Sequence, residues 1–222
     1  MNKKIDMAEF MKECMLTNDD KRQMKTMDKK TMKDDPNYPK NKRVNLEYYA
    51  EDELEDVGVD IEVEETGDTF AENASLKAKQ YHAASGELTL ADDSGIEVDA
   101  LDGAPGVYSA RYFRPGQTDE EGRNHLLAQM VGVPGWKRQA RYIAVLAIVG
   151  DRTRTRPQLF EGSCKGAIAH GPIGDGGFGY DPIFWLGAER KTMAELSAQE
   201  KDAVSHRGRA VRKAAEYLQS IA

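Results

Sequence analysis

Apolar and polar positions alternate most regularly in the second half of the chain. Arg138 to Val149 and Gln158 to Ala169 read as two long strands. The charged turn Gly150 to Pro157 between them predicts a hairpin. Two shorter apolar runs, Leu88 to Ala91 and Ile96 to Leu101, read as separate strands, and Val44 to Tyr49 as another. Helical periodicity appears between them. Thr69-Phe70-Ala71-Glu72 has the capping-box pattern and opens a helix that runs to about Ser85 and stops at Gly86. Thr118 to Val131 is a second helix, with acidic residues in its first turn where the helix dipole favours them. The last helix covers Ser205 to Ser220, with Val204, Val211, Ala214, Ala215 and Leu218 on its apolar face. Gly171 to Asp181 is a glycine-rich loop, and there are no internal repeats. Strands alternating with helices in this way predict an α/β fold built on a mixed sheet.

Composition changes near residue 44. Residues 1–43 hold seven of the nine methionines and none of the 20 glycines. Asp6 to Met15 and Lys21 to Met32 read as short helices, and Asp34-Asp35-Pro36-Asn37-Tyr38-Pro39 breaks any helix. We therefore divide the chain into an irregular or helical appendage, 1–43, and a main domain, 44–222. The net charge of −7 and the lack of a long basic stripe after the first segment argue against duplex nucleic acid as partner. They leave room for a small anion met by a local basic site or a bound cation. Two cysteines, Cys14 and Cys164, make no disulfide framework, so a reducing cytoplasm is the expected compartment. No apolar run reaches the ~18 residues of a membrane span, and the early lysines precede no apolar segment of a secretory signal.

Four stretches carry candidate chemistry. Ala91-Asp92-Asp93-Ser94-Gly95 ends an apolar strand in two carboxylates and a turn, at the position where α/β folds face their ligand crevice. Adjacent carboxylates repel unless a cation or proton neutralises them, and Mg²⁺ prefers such hard oxygen ligands together with phosphates. A simple Asx-type turn would read the same way. Glu64-Glu65-Thr66-Gly67 places two more carboxylates before the capped helix, either to complete that site or as a solvated acidic turn. Asn73 and Lys77 lie one turn apart on the helix, where Lys77 could face a phosphate or water. Gly174 to Pro182 alternates glycines with Phe178 and Tyr180, giving close backbone approach and flat faces on which a base could stack. Lys201, His206 and Arg207 gather at the start of the last helix, where cations oppose the dipole unless an anionic ligand compensates them. Solvated basic side chains are the alternative there.

These stretches together resemble the inosine triphosphate pyrophosphatase family, which hydrolyses deaminated purine nucleoside triphosphates. The matching segments are Glu64 to Ala74, Ala91 to Asp99, Gly103 to Tyr112, Gly176 to Phe184 and Ser205 to Gly208, in family order over roughly three-quarters of the chain. The resemblance implies an elongated two-lobed α/β fold with a central substrate cleft, acting as a homodimer with Mg²⁺. It implies that Asp93 is general base and metal ligand, with Glu65 as second metal ligand. It places Ser94 and Lys77 at the triphosphate, and Phe178, Gly179, Tyr180, Asp181, Lys201, His206 and Arg207 at the substrate. The implied reaction converts inosine, deoxyinosine or xanthosine triphosphate to the monophosphate and pyrophosphate.

One family feature is missing. The opening strand and its Thr/Ser-Gly/Asn-Asn-x-x-Lys phosphate loop are not recognisable. The nearest fragment, Thr17-Asn18-Asp19-Asp20-Lys21-Arg22, has Asp19 where Asn is expected and Arg22 where Lys is expected, and takes no site role. The alternative function is therefore a catalytically impaired nucleotide-binding protein of the same fold.

Overall fold

A computed structural model describes the backbone of residues 44–46 and the whole of residues 59–150 and 156–221. The readings for residues 1–43, and the remainder of the strand expected from Val44 to Tyr49, lie outside these described residues. Within them the chain forms a mixed sheet flanked by helices. β1 (Val44–Leu46) pairs parallel with β2 (Leu88–Val98), Val44 opposite Leu88. The rest is antiparallel: β2 pairs with β3 (Gln139–Val149), β3 with β4 (Gln158–Ile168), β4 with β5 (Phe184–Leu186), and β5 with β6 (Lys191–Thr192). Spatial order follows sequence order among the described strands.

The first helix forms as its caps demand. α1 (Phe70–Ser85) opens with the Thr69 side chain accepting from the Glu72 amide and the Glu72 carboxylate accepting from the Thr69 amide. It closes on Gly86, left-handed at φ 71°. α2 (Asp119–Gln129) repeats the device with Thr118 and Glu121. The C-terminal region corrects the sequence reading in one respect. Ser197 and Glu200 form another capping box that opens a short helix, α3 (Ala198–Val204), and α4 (His206–Ile221) begins only after Ser205. Val204 therefore ends α3 and packs elsewhere, while Val211, Ala214, Ala215 and Leu218 do form the buried stripe of α4.

β2 corrects the reading more deeply. It is one continuous strand through Asp92, Asp93, Ser94 and Gly95, where a turn between two strands was expected. Gly95 makes this possible. A Cβ there would collide with Ser109 Oγ and with the Gly106 carbonyl, 2.6 Å away. These belong to a 3-10 turn, Gly106–Arg111, seated on the strand.

Strand alternation sorts the core. The residues of one parity, Ala91, Val145, Ala147 and Val149, pack under α1 with Phe70, Ala74 and Ala78. On the opposite face Leu90, Ala144, Leu146 and Ile148 pack against α4. Further along that same face a separate cluster builds a second lobe from Ile96, Val98, Tyr142, Leu126, Met130, Ile183 and Phe184. Each fully buried side chain of this size contributes ~1.5–3 kcal/mol relative to exposure. The polar residues Asp92 and Ser94 lie along β2 between the two clusters, which leaves a polar belt between the lobes.

Arg138, only 4% exposed, ties the second lobe together. Its guanidinium donates to the carbonyls of Ile168 at 2.7 Å, Met130 at 2.9 Å and Ala169 at 2.9 Å. It thus closes the C-terminal end of α2 against the start of β3 and the end of β4, and a cation is favourable at a helix C-terminus. Arg138→Met should strand these carbonyls. We expect it to lower the unfolding free energy by about 3 kcal/mol in urea denaturation, because several charge-assisted hydrogen bonds go at once.

Candidate active site

The site begins with the alternation of β2. Asp93 points to the α1 face and Asp92 and Ser94 to the α4 face, so the adjacent carboxylates do not share one pocket as the sequence suggested. Each meets its own cation. On the α1 face, Lys77 Nζ donates to Asp93 Oδ1 at 3.2 Å and to Glu65 Oε1 at 2.7 Å. Arg111 Nη1 donates to Glu65 Oε2 at 3.1 Å. Of the two neighbouring glutamates, Glu65 faces the site and Glu64 is exposed. On the α4 face, Arg207 Nε donates to Asp92 Oδ2 at 3.1 Å and its Nη2 to Ser94 Oγ at 2.6 Å.

Electrostatics separates the two acids of the α1 face. Asp93 is 8% exposed, and burial pushes its carboxyl up to about 6 although Lys77 opposes the shift. Burial also acts on Glu65, but Lys77 and Arg111 together outweigh it and hold that carboxyl below its ordinary value. One acid is thus firmly ionised and the other poised near neutrality, the separation expected of acid-base machinery. Asp93 Oδ2 is buried and has no hydrogen-bond partner, as is Asp92 Oδ1.

No group of three or more His, Cys, Asp or Glu side chains able to hold a metal ion occurs among the described residues. Glu65 and Asp93 are therefore short of a stand-alone cage. They do fit a hard divalent cation that takes one or two carboxylates and fills its remaining positions with phosphate and water. The bare oxygen of Asp93 and the convergence of both acids on one ammonium support that fit.

The glycine-rich loop and the α3–α4 junction build the other half. Phe178 is half-buried, with Lys201 Nζ 4.4 Å and the Arg207 guanidinium 5.2 Å from its ring centre. Asp181, 2% exposed, organises this corner. It accepts from Lys201 Nζ at 2.6 Å, from the Phe178 amide at 3.0 Å and from the Tyr142 hydroxyl at 3.3 Å. Two residues expected at the substrate are engaged within the protein. The Tyr180 ring is buried and its hydroxyl donates to the Ser109 carbonyl at 2.8 Å. Gly179 has both backbone groups engaged with α2, its amide on Asp119 at 2.6 Å and its carbonyl on Arg123 at 2.8 Å. His206 is buried and lies parallel to the Tyr142 ring at 4.6 Å. Burial, then Arg207 and Lys201, hold its imidazole well below its ordinary value, so it is neutral, with Nδ1 buried and without a partner.

Arg207 joins the strand to the glycine-rich loop, touching Asp92 and Ser94 on the α4 face of β2 and lying against the Phe178 ring, while Glu65, Lys77 and Asp93 gather on the α1 face. Arg111 escaped the sequence reading, although the signal was present in the Gly103 to Tyr112 segment. A pocket lined by Ser163, Cys164, Lys165, Leu186 and Arg209 lies apart from this chemistry and contains none of these residues. Cys164 within it is buried, and burial raises its thiol, as an inert strand cysteine requires.

The Asp93 shift has a consequence for stability. Its folded value of about 6 exceeds the ordinary 3.8, so the folded protein binds the proton more tightly. The stability that Asp93 contributes is therefore fully present below about pH 4 and is lost as pH rises through about 6, by at most ~1.4 kcal/mol per pH unit. In metal-free buffer, urea unfolding at a series of pH values should show this decline in the wild type. Asp93→Asn should lack it and be the more stable protein at pH 7.

Comparisons with known proteins bear on the family and the fold. The Ham1 family model matches residues 19–217. A dITP/XTP pyrophosphatase of Synechocystis is 53% identical over 154 residues, 69% of this chain and 76% of that protein. The structure of the Staphylococcus aureus Ham1 protein superposes with a TM-score of 0.72 at 36% identity, covering 81% of this chain and 99% of that one. A nucleoside-triphosphatase or dITP/XTP pyrophosphatase from Mycobacterium abscessus gives a TM-score of 0.62 at 44% identity, over 72% and 84% of the two chains. With the family model spanning most of its length and relatives near 50% identity over more than two thirds of it, the chain belongs to the Ham1 family.

Proposed function

We propose that the protein hydrolyses deaminated purine nucleoside triphosphates, of the dITP and XTP type, to the monophosphate and pyrophosphate. The observation that carries this reading is the pair of clusters on opposite faces of β2. One is Glu65–Lys77–Asp93, suited to phosphate chemistry; the other is Arg207–Phe178–Lys201, suited to holding a flat base and an anion. The names of the related proteins support the same substrate class.

A triphosphate brings about four negative charges into this site. Mg²⁺ held by Glu65 and Asp93 would offset phosphate charge and make the phosphorus more electrophilic. Lys77 and Arg207 supply further positive charge from either face of the strand. The Asp93 carboxylate orients a water and takes its proton as the water oxygen bonds to the α-phosphorus. The bond from that phosphorus to the bridging oxygen breaks, and pyrophosphate leaves. Ser94 Oγ accepts from Arg207 Nη2 at 2.6 Å and donates to Asp92 Oδ2 at 3.2 Å; in this reading its proton turns from Asp92 to the entering phosphate.

Phe178 is the ring against which the base stacks, because Tyr180 is committed to the core. Donors grouped around it suit a 6-oxo purine and leave the 6-amino group of adenine without an acceptor. Asp181 holds Lys201 and the Phe178 backbone in register for this reading. Gly179 and His206 act through the loop and helix backbone they fix. We read the assembly as a cytoplasmic homodimer, with exposed Tyr108 and Phe113 as apolar surface available for a second copy. Among the described residues no helix is long and apolar enough to cross a membrane.

The test is pyrophosphate release from dITP, XTP and dATP with Mg²⁺. We expect dITP and XTP to be cleaved at least about 100-fold faster than dATP, in kcat/KM, as for a buried mismatch. Asp93→Asn should lose about 10²–10⁴-fold in kcat while still binding nucleotide, as when a general base is removed. Nucleotide binding without pyrophosphate release by the wild type would instead favour an impaired binding protein.

A further inference from the structure

Glu65 is the site residue with the least backbone support. It lies in the irregular segment 59–68, whereas Asp93 sits in mid-strand and Lys77 in mid-helix. Val59 and Val63 anchor this segment against Tyr81, and the Gly67 amide donates to Asn73 Oδ1 at 2.7 Å. These contacts hold the segment on either side of Glu65. The direction of its carboxylate is left to its side-chain partners. Lys77 holds Oε1 but is shared with Asp93, and it is also the ammonium nearest to hand for an entering phosphate. Arg111, on Oε2, pairs with no other acid among the described residues.

Arg111 is delivered from a stiff support. It ends the 3-10 turn whose Ser109 Oγ accepts from the Ile96 amide at 2.9 Å and donates to the Gly106 carbonyl at 2.6 Å. The Ser109 carbonyl in turn accepts from the Tyr180 hydroxyl at 2.8 Å. The turn is therefore pinned to β2 within three residues of Asp93, and Arg111 spans from this fixed base to the acid on the irregular segment. A planar guanidinium is suited to fixing a carboxylate in direction as well as in charge.

We propose that Arg111 is a positioning residue for Glu65. It keeps the Glu65 carboxylate aimed towards Asp93 when Lys77 turns to the triphosphate, and so governs cation affinity and turnover rather than nucleotide affinity. This inference rests on the reading of Glu65 as a cation ligand. The same dependence on outer partners is general for metal-binding side chains, where loss of the partner costs about 10–100-fold in metal affinity or activity.

The experiment compares the wild type with Glu65→Gln, Arg111→Met, Arg111→Lys and the Glu65→Gln/Arg111→Met double variant, each checked for folding by thermal melting. Two quantities are read: Mn²⁺ affinity by calorimetry in the presence of a non-hydrolysable α,β-imido dITP, and steady-state hydrolysis of dITP. Arg111→Met should weaken Mn²⁺ binding and lower kcat by about tenfold each, with KM for dITP within about twofold. Arg111→Lys should fall between. In the Glu65→Gln background, adding Arg111→Met should change either quantity by less than about twofold, because the two residues act as one unit. Additive losses, or a raised KM with kcat and Mn²⁺ affinity unchanged, would place Arg111 on the nucleotide and overturn the proposal. Wild-type Mn²⁺ affinity and turnover in Glu65→Gln would instead remove Glu65 as a ligand, and with it the reading on which the proposal rests.

Discussion

Two carboxylates one residue apart, Asp92 and Asp93, are carried to opposite faces of the sheet by the alternation of β2, and each is held there by a cation from a different helix. Lys77 comes from α1 and Arg207 from α4. Two such charges about 4 Å apart would repel by ~4 kcal/mol at the effective dielectric of a protein surface. Turning them to opposite faces relieves most of that. Among the influences on Asp93, burial comes first and the Asp92 charge last. The strand stays extended through a sequence that favours a turn because both faces supply partners and because Gly95 leaves room for the 3-10 turn behind it. The same alternation decides what each face can do: one gathers acids around an ammonium, the other gathers cations around Phe178.

The candidate site is stiffened by contacts within the protein. The Tyr180 hydroxyl on the Ser109 carbonyl joins the glycine-rich loop to the turn that carries Arg111. Asp119 and Arg123 of α2 clamp the Gly179 backbone from the second lobe. Asp181, buried beneath the loop, collects Lys201, Tyr142 and the Phe178 amide. A buried acid with three donors is a rigid hub, and unpairing it would leave a charge without compensation. The glycine-rich loop and the turn that carries Arg111 are thus tied to each other and to the second lobe, and such pre-organisation would serve a reaction governed by charge placement.

Much of this was legible in the sequence, for reasons that differ residue by residue. The limits of α1 followed from Thr69, Glu72 and Gly86, since caps are local chemistry. The hairpin of β3 and β4 followed from alternation over many residues. The Ser197–Glu200 capping box was equally local, but it lay inside a stretch read as approach to the last helix, so α3 was missed. The continuity of β2 was not legible. Asp-Asp-Ser-Gly has turn chemistry, and only tertiary partners, Lys77, Arg207 and Ser109, override it. Lys77 and Arg207 were expected near phosphate and substrate, and the structure adds which acid each one meets. Tyr180 was read as a free ring because alternating glycines and aromatics suit a base slot. Its burial depends on Ser109, far away in sequence, and no local pattern reports that. Arg111 was overlooked because an arginine after Ser109-Ala110 has no local sign of its partner in the irregular segment.

The central chemical claim is that Asp93 directs water to the α-phosphorus, so that the nucleotide leaves as the monophosphate carrying the new oxygen. Hydrolysis of dITP in ¹⁸O-labelled water, with both products analysed by mass spectrometry, tests this most directly. The account predicts the label in the deoxyinosine monophosphate and unlabelled pyrophosphate. Label in the pyrophosphate would mean that water attacks the β-phosphorus, and would contradict the placement of Asp93 as the base.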